Sequence, residues 1–231
     1  MGRIVAIGGG ELDTTHRINR YIVELSGKKN PQFLFIGTAS RDAESYIECI
    51  REEFEELGCV VNALCLISQC YTDEQINALL NQADIIYVGG GDTAFMMDMW
   101  RKYALCDKLK RIYETNRAVL SGISAGAMCW FSYGHSDSPL FCNSNSGGYG
   151  WIKNLLGLLP YAFCPHYNER KEFVDKMVSE LDLPIFALEN NVALVEEGGQ
   201  ISFVSSDNSS KAYLLKQADG RLSKEAVVVT L

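Results

Sequence analysis

The sequence predicts an α/β fold with three layers, in which helices cover both faces of a mostly parallel central sheet. The first observation is an alternation: within residues 3–123, five short apolar runs are separated by segments with helical spacing, which is typical of parallel strands joined by helices. The second is that small residues follow three of these runs, where the carboxyl ends of parallel strands form sites. The third is size, because 231 residues with 47% apolar side chains suffice for one core. We therefore expect a single domain over residues 1–231.

The elements of the first half follow from local patterns. Buried parallel strands read as continuous apolar runs, and such runs predict strands at 3–7, 33–36, 59–67, 85–88 and 118–123. Apolar residues at helical spacing predict helices at 15–25, 42–57, 72–81 and 93–113, the last with a break near Leu105. Thr72 and Glu74-Gln75 suit the start of the third helix, because such residues are typical of helix N-termini.

The second half has a different composition. Residues 134–160 are rich in Gly, Ser and Asn, and long loops in compact domains are often functional; we interpret them as an active-site loop, the alternative being a surface loop without a role. Beyond residue 184, β-like segments at 185–189, 192–196, 201–204, 212–215 and 226–231 are predicted to form a mixed C-terminal part of the same sheet.

Charge and hydropathy disfavour several classes of function. Lys and Arg number 21 against 29 Asp and Glu, a formal net charge of −8, and an acidic surface repels nucleic-acid backbones and anionic lipid. The apolar runs are shorter than the roughly 20 residues that cross a bilayer, and the N-terminal stretch turns polar at Glu11, unlike a signal peptide. We expect a cytoplasmic protein, a monomer or homodimer, with no nucleic-acid or membrane partner.

The eight cysteines lack CxxC spacing and mostly lie in apolar stretches, which favours reduced, buried thiols over disulfides. The three histidines show no ligand spacing with cysteine, so no zinc site is predicted. Neither a metal nor an organic cofactor is expected.

The most specific local pattern is Gly122-Ile123-Ser124-Ala125-Gly126, which matches G-x-S-x-G between a predicted strand and a predicted helix. In that context the serine occupies a tight turn and is a candidate nucleophile. The amide of Ala125 would be one donor to an oxyanion. The alternative is an ordinary glycine-rich turn.

A serine nucleophile needs a base, and a histidine base needs an acceptor that holds its tautomer. His16 lies in a charged helix, His135 in the Gly/Ser/Asn-rich segment, and His166 after a short apolar run; position favours His166 over His135. For the acceptor, Asp137 in the loop and Glu189 at a predicted strand end are both candidates, and the sequence does not choose between them.

Two further glycine clusters follow predicted strands. Gly89-Gly90-Gly91-Asp92-Thr93 could supply a second oxyanion donor or cradle a phosphate, but it lacks the lysine of a phosphate-binding loop. Gly8-Gly9-Gly10 fails the dinucleotide fingerprint, because Asp13 occupies the position of its third glycine. Tight turns remain the alternative for both clusters.

Together these motifs resemble the peptidase E family of α-aspartyl dipeptidases and its cyanophycinase relatives. The matching segments are Val88-Gly89-Gly90-Gly91-Asp92-Thr93, Gly122-Ile123-Ser124-Ala125-Gly126-Ala127, Ser136-Asp137-Ser138-Pro139, Pro165-His166-Tyr167 and Leu188-Glu189-Asn190. The resemblance implies a class I glutamine amidotransferase-like fold in which serine replaces the usual cysteine. It implies Ser124 as nucleophile, His166 as base, and the amides of Gly91 and Ala125 as the oxyanion hole. Both Asp137 and Glu189 match positions assigned to the third triad member.

The resemblance also implies a substrate class, namely short peptides, and a serine peptidase of the dipeptidase or aminopeptidase type. In peptidase E an arginine after the catalytic histidine binds the N-terminal Asp of the substrate, and Arg170 is the nearest match here, although the intervening segment is shorter. Two alternatives stay open: a cyanophycinase-like hydrolase of β-aspartyl peptides, and a non-catalytic binding module on an amidotransferase-like scaffold.

Overall fold

The computed structural model describes residues 2–138, 148–218 and 221–230. These residues contain thirteen strands: β1 (Arg3–Ile7), β2 (Gln32–Ile36), β3 (Val60–Leu64), β4 (Ile85–Val88), β5 (Val119–Ile123), β6 (Phe131–Ser136), β7 (Gly150–Lys153), β8 (Leu159–Cys164), β9 (Ile185–Leu188), β10 (Val192–Glu197), β11 (Gln200–Ser205), β12 (Ala212–Ala218) and β13 (Arg221–Ala226). The α-helices of the same residues are α1 (Leu12–Leu25), α2 (Glu44–Glu56), α3 (Asp73–Gln82), α4 (Thr93–Lys102), α5 (Leu105–Glu114), α6 (Ala125–Met128) and α7 (Tyr167–Met177). Short 3-10 helices cover Thr38–Ser40 and Val178–Glu180.

The strands form two sheets. The first has seven strands in the order β11-β10-β1-β5-β4-β2-β3; β1 to β5 pair in parallel, whereas β10 and β11 pair antiparallel at one edge. The second has six strands in the order β13-β12-β9-β8-β6-β7. In it β6, β8 and β9 are parallel, and β7, β12 and β13 are antiparallel. Both sheets therefore have a parallel centre, whose carboxyl ends can form a site.

The core follows from the alternation of side chains along each strand. Val5 and Ile7 of β1 point to the face covered by α1 and α2, where they join Ile22 and Phe54. Ile4 and Ala6 point to the opposite face and join the cluster that contains Trp100 of α4 and Leu109 of α5. That second cluster also contains the buried aromatic side chains of the second sheet, Phe131, Phe163 and Phe186, so the two sheets share a core. On the second sheet's other face, a separate cluster includes Val174 of α7.

The structure confirms the elements predicted for the first half. The long helix is interrupted between Lys102 and Leu105, near the predicted break. Thr72 caps α3: its hydroxyl accepts from the Gln75 amide, and the Gln75 side chain accepts from the Thr72 amide.

The second half differs from the prediction in three respects. The predicted loop at 134–160 contains the end of β6 and all of β7; its Asn143, Ser144, Asn145, Ser146 and Gly147, with Pro139 and Cys142, lie outside the described residues. The C-terminal strands divide between both sheets instead of extending one. The strand predicted at 226–231 is wrong, because the strand lies at Arg221–Ala226 and is exposed along its length. The sequence of this strand has no apolar pattern, so neither the strand nor its pairing with β12 could be predicted.

The structure also bears on the predictions about the cysteines and about membrane-spanning segments. The seven cysteines of the described residues are all unpaired thiols. Among the described residues, no helix has both the length and the hydropathy of a membrane span.

Candidate active site

Ser124 follows β5, the strand that lies between β1 and β4 in the first sheet. Its backbone has φ 54° and ψ −114°, a conformation that non-glycine residues rarely adopt and that turns the chain sharply. The Ser124 amide donates to the Ile7 carbonyl at the end of β1, over 3.1 Å. The turn thus presents the side chain at the carboxyl edge of the sheet, as the G-x-S-x-G pattern predicts.

His166 reaches Ser124 from the second sheet. It follows β8, has a left-handed backbone with φ 51°, and donates its amide to the Gly8 carbonyl over 2.9 Å. That bond ties the end of β8 to the end of β1. The His166 Nε2 lies 2.9 Å from Ser124 Oγ, which is hydrogen-bonding distance for a base and the hydroxyl it would deprotonate.

The other ring nitrogen of His166 faces Asn190. The Nδ1–Oδ1 distance is 2.8 Å, and an amide oxygen can only accept. His166 Nδ1 therefore carries the proton, which leaves Nε2 free to accept from Ser124. Gly9 packs against this pair so closely that a Cβ there would collide with both the imidazole and the Asn190 amide.

In the structure, the contact with His166 Nδ1 is made by Asn190 and not by either predicted acceptor, Asp137 or Glu189. Glu189 accepts instead from the Lys211 amide, over 2.9 Å. Asp137 lies 3.4 Å from the guanidinium of Arg170. The sequence reasoning missed Asn190 because it sought a carboxylate, although Asn190 directly follows Glu189 at the same strand end. The structure brings to the imidazole a side chain that lies two residues beyond β9.

The remaining histidines have other surroundings. His135 is fully buried, stacks on Tyr149 with ring centroids 5.4 Å apart and meets Trp151 edge-on. Burial, with the nearby positive charge of Arg170, lowers its pKa to about 4. His16 on α1 lies 3.1 Å from a carboxylate oxygen of Glu53 on α2. Neither is the histidine that contacts Ser124.

The glycine-rich turn after β4 lies against Ser124. A Cβ on Gly90 would lie 3.5 Å from Ser124 Cβ. Gly91 has φ 136° and its Cβ position is occupied by the Ala39 carbonyl, so only glycine fits there. The Ala125 amide is the first of α6 and has no intrahelical acceptor. Because α6 spans only 4 residues, individual amides rather than a helix dipole would act on a developing negative charge.

Arg170 lies on α7, one turn after His166, and its side chain is buried. Its guanidinium donates to the His135 carbonyl over 2.8 Å and pairs with Asp137 at 3.4 Å. The ring of Tyr149 lies 4.7 Å from the guanidinium carbon. Arg170 is thus an internally paired residue and not part of a solvated helix face.

The charges around His166 act in opposite directions on its pKa. Burial lowers the pKa most, and the positive charge of Arg170 lowers it further. The hydrogen bond to Asn190 and the carboxylates of Glu169 and Asp137 raise it, without reversing the shift. The imidazole is therefore neutral at neutral pH, the state in which Nε2 can accept a proton.

The comparison with protein families decides the classification. The model of "Peptidase family S51" matches residues 4–204, which is most of the chain. The chain belongs to peptidase family S51. The resemblance to peptidase E stated from the motifs is thereby confirmed at the level of the family, and the protein is a peptidase.

Three similar proteins are named as peptidases. The chain is 32% identical to the "Uncharacterized peptidase YgaJ" of Bacillus subtilis, over 97% of this chain and 96% of that protein. It is 24% identical to the "Probable alpha-aspartyl dipeptidase" of Drosophila melanogaster, over 86% and 81%. It is 27% identical to the "Uncharacterized peptidase Lmo0363" of Listeria monocytogenes, over 72% and 82%.

Two solved structures are similar in fold. A peptidase from an acI-B1 actinobacterium has a TM-score of 0.70 at 22% identity and covers 98% of this chain, with 97% of that chain covered. A "Putative Peptidase E Protein" from Listeria monocytogenes has a TM-score of 0.66 at 21% identity and covers 88% of this chain, with 98% of that chain covered. These likenesses confirm the predicted α/β fold class, with an amidotransferase-like arrangement of mostly parallel strands and flanking helices.

Proposed function

We propose that this S51 peptidase is a serine peptidase that hydrolyses short peptides. The observation that carries the proposal is the hydrogen-bonded series Ser124 Oγ, His166 Nε2, His166 Nδ1 and Asn190 Oδ1, with distances of 2.9 and 2.8 Å. Such a series contains a nucleophile, a base and a group that orients the base. A neutral amide at the third position holds the tautomer by hydrogen bonding without adding a charge of its own.

The reaction would proceed in two steps. Ser124 Oγ attacks the scissile carbonyl carbon while its proton passes to His166 Nε2, and the amides of Gly91 and Ala125 donate to the oxyanion. The imidazolium then gives its proton to the leaving amine as the C–N bond breaks, which leaves an acyl-enzyme. Water attacks the acyl carbon, His166 takes the water's proton, and the acid product leaves as the proton returns to Ser124.

Recognition of the substrate's N-terminal residue is the finer question. A relative named as an alpha-aspartyl dipeptidase and the match of Arg170 support Asp-X dipeptides as candidates. The buried guanidinium, however, already pairs with Asp137 at 3.4 Å, and a substrate carboxylate would have to displace that contact. We therefore propose that dipeptides with a neutral N-terminal residue are hydrolysed at least as fast as Asp-X.

The test is hydrolysis of Asp-Leu, Met-Leu, Ala-Leu and a β-aspartyl dipeptide by the intact protein and by Ser124→Ala. We expect cleavage of neutral dipeptides that is lost in Ser124→Ala, because a methyl group cannot attack the carbonyl. Circular dichroism would show that the variant is folded. Cleavage that survives in Ser124→Ala would overturn the serine mechanism. Cleavage of only the β-aspartyl peptide would favour the cyanophycinase-like alternative. If no peptide is cleaved and a serine-directed reagent does not label Ser124, the binding module is favoured.

A further inference from the structure

The Asn190 side chain makes two hydrogen bonds, one from each end of its amide. Its Oδ1 faces His166 Nδ1 at 2.8 Å, and its Nδ2 donates to Glu169 Oε1 at 2.8 Å. A carboxylate can only accept, so it requires the NH₂ end of the amide to point toward it. The position of Glu169 therefore dictates that the oxygen end points toward the imidazole.

The opposite orientation of the amide would be incompatible with a base at Nε2. With Nδ2 toward His166, Nδ1 would have to accept a proton, and the neutral imidazole would carry its hydrogen on Nε2. That nitrogen could then no longer accept from Ser124 Oγ. An asparagine alone does not choose between these two states, because each makes one hydrogen bond with the matching tautomer.

Glu169 is placed for this role by its own helix. It lies in the first turn of α7, three residues after His166, and its amide donates to the His166 carbonyl over 2.9 Å. The preceding residue, Asn168, accepts from the backbone amide of Asn190 over 3.1 Å. Two consecutive residues of α7 thus fix Asn190, one through its backbone and one through its side chain. Glu169 Oε1 is also 4.0 Å from His166 Nδ1, close enough to stabilise an imidazolium.

We propose that Glu169 is a positioning residue of this site, which sets the His166 tautomer by orienting the Asn190 amide. The proposal rests on the serine mechanism proposed above, with Asn190 rather than a carboxylate on Nδ1. Glu169 itself contacts neither Ser124 nor the carbonyl that Ser124 would attack. Its carboxylate is more than half exposed, at 57%, beside a cavity of about 420 Å³. Water can therefore replace it sterically, and its removal should leave the fold intact.

The kinetic test compares Glu169→Ala and Glu169→Gln with Glu172→Ala, an exposed carboxylate on the same helix. We expect Glu169→Ala to lower kcat by about tenfold with little change in KM, in the range typical for a residue that orients a catalytic group. Glu169→Gln should retain more activity, because its amide oxygen can still accept from Asn190. Glu172→Ala should match the wild type. Equal losses in Glu169→Ala and Glu172→Ala would overturn the proposal.

A second background separates orientation from general structural support. In Asn190→Asp, the acceptor is a carboxylate, both of whose oxygens can accept from Nδ1, so no partner is needed to orient it. There the acceptor needs no orientation, so Glu169→Ala should lower kcat by clearly less than the roughly tenfold loss expected with Asn190. A loss of the same size in both backgrounds would contradict the proposed role.

The decisive measurement is the His166 tautomer, read from the ring ¹⁵N resonances of the full chain at a pH where the imidazole is neutral. The wild type and Glu169→Gln should show the proton on Nδ1, and Glu169→Ala should show roughly half of it on Nε2, because the two amide orientations become comparable. An unchanged tautomer in Glu169→Ala overturns the inference. This readout needs no substrate, so it can fail while Ser124-dependent hydrolysis stands, or succeed while hydrolysis fails.

Discussion

At the scale of single residues, the proposed mechanism requires His166 to be neutral at rest and charged during the reaction. Burial and Arg170 lower the pKa of His166, while Asn190, Glu169 and Asp137 partly offset that effect. The offset is useful, because an imidazole with a strongly lowered pKa would be a poor proton acceptor. These opposing effects therefore leave His166 with a pKa at which the imidazole can be neutral at rest and can still take up a proton.

The first prediction follows from the sign of this shift. Because only the neutral imidazole accepts a proton from Ser124, kcat/KM should rise with pH through the pKa of His166 in the free enzyme, with a midpoint below the ordinary value of 6.5. Measuring kcat/KM across pH for two dipeptides that ionise at different pH values would give this midpoint. A shared acidic limb belongs to the enzyme; a midpoint above 6.5, or no acidic limb, would contradict the assignment of His166 as base.

At the scale of elements, α7 concentrates several functions within its first turn. His166 precedes it, Glu169 contacts Asn190, and Arg170 turns inward to the His135 carbonyl and Asp137. Asp137 follows β6 directly, and the next residue, Ser138, donates to Asp92 at the start of α4 over 2.9 Å. The Arg170–Asp137 pair thus links α7 to the segment that follows β6.

The second prediction concerns this pair. Asp137→Asn removes the carboxylate that occupies Arg170, so hydrolysis of Asp-Leu should increase relative to Met-Leu, since a guanidinium without a competing anion binds a substrate carboxylate better. The ratio of kcat/KM values measures it, with thermal unfolding to confirm folding. Glu189→Gln is the matched control, because that carboxylate bonds to the Lys211 amide instead. Loss of all hydrolysis in a folded Asp137→Asn would instead restore Asp137 as the third triad member.

At the scale of the whole molecule, the site exists only where two sheets meet. Ser124 comes from the first sheet and His166 and Asn190 from the second, and the bonds from His166 and Asn191 to Gly8 and Gly9 join their edges. Arg170 and the buried His135 lie on the second-sheet side, where a protonated imidazole beside a guanidinium would be unfavourable. The acid stability of the protein should therefore depend on His135.

The third prediction states that dependence. The pKa of His135 is about 4 in the folded protein against 6.5 for an ordinary histidine, so the unfolded chain binds the proton more readily. Stability from the neutral ring is complete above pH 6.5 and is lost as pH falls toward 4, by about 3 kcal/mol. Denaturant unfolding at several pH values should show a smaller loss in His135→Phe. His16→Gln is the control, and an equal loss in His135→Phe and the wild type would refute the prediction.

Much of the fold was predictable because its signals are local. Five strands, the interruption near Leu105 and the cap at Thr72 follow from apolar periodicity and from hydrogen bonds within a few residues. The exposed strand at Arg221–Ala226 was not, because it carries no apolar alternation and exists through its pairing with β12. The assignment of C-terminal strands to two sheets is likewise a choice between partners far apart in sequence.

The fold class, the family motifs and the sharp turn that carries Ser124 were predictable, since each rests on patterns among residues that are near one another along the chain. The contact between Asn190 and His166 Nδ1 became visible only in three dimensions, because the sequence offered the carboxylates of Asp137 and Glu189 as acceptors and gave no reason to consider a neighbouring amide. The tertiary structure also decided that Arg170 points inward to Asp137. Whether two distant segments form a hydrogen bond depends on differences of about a few tenths of an ångström in the donor–acceptor distance. No local sequence pattern encodes such differences.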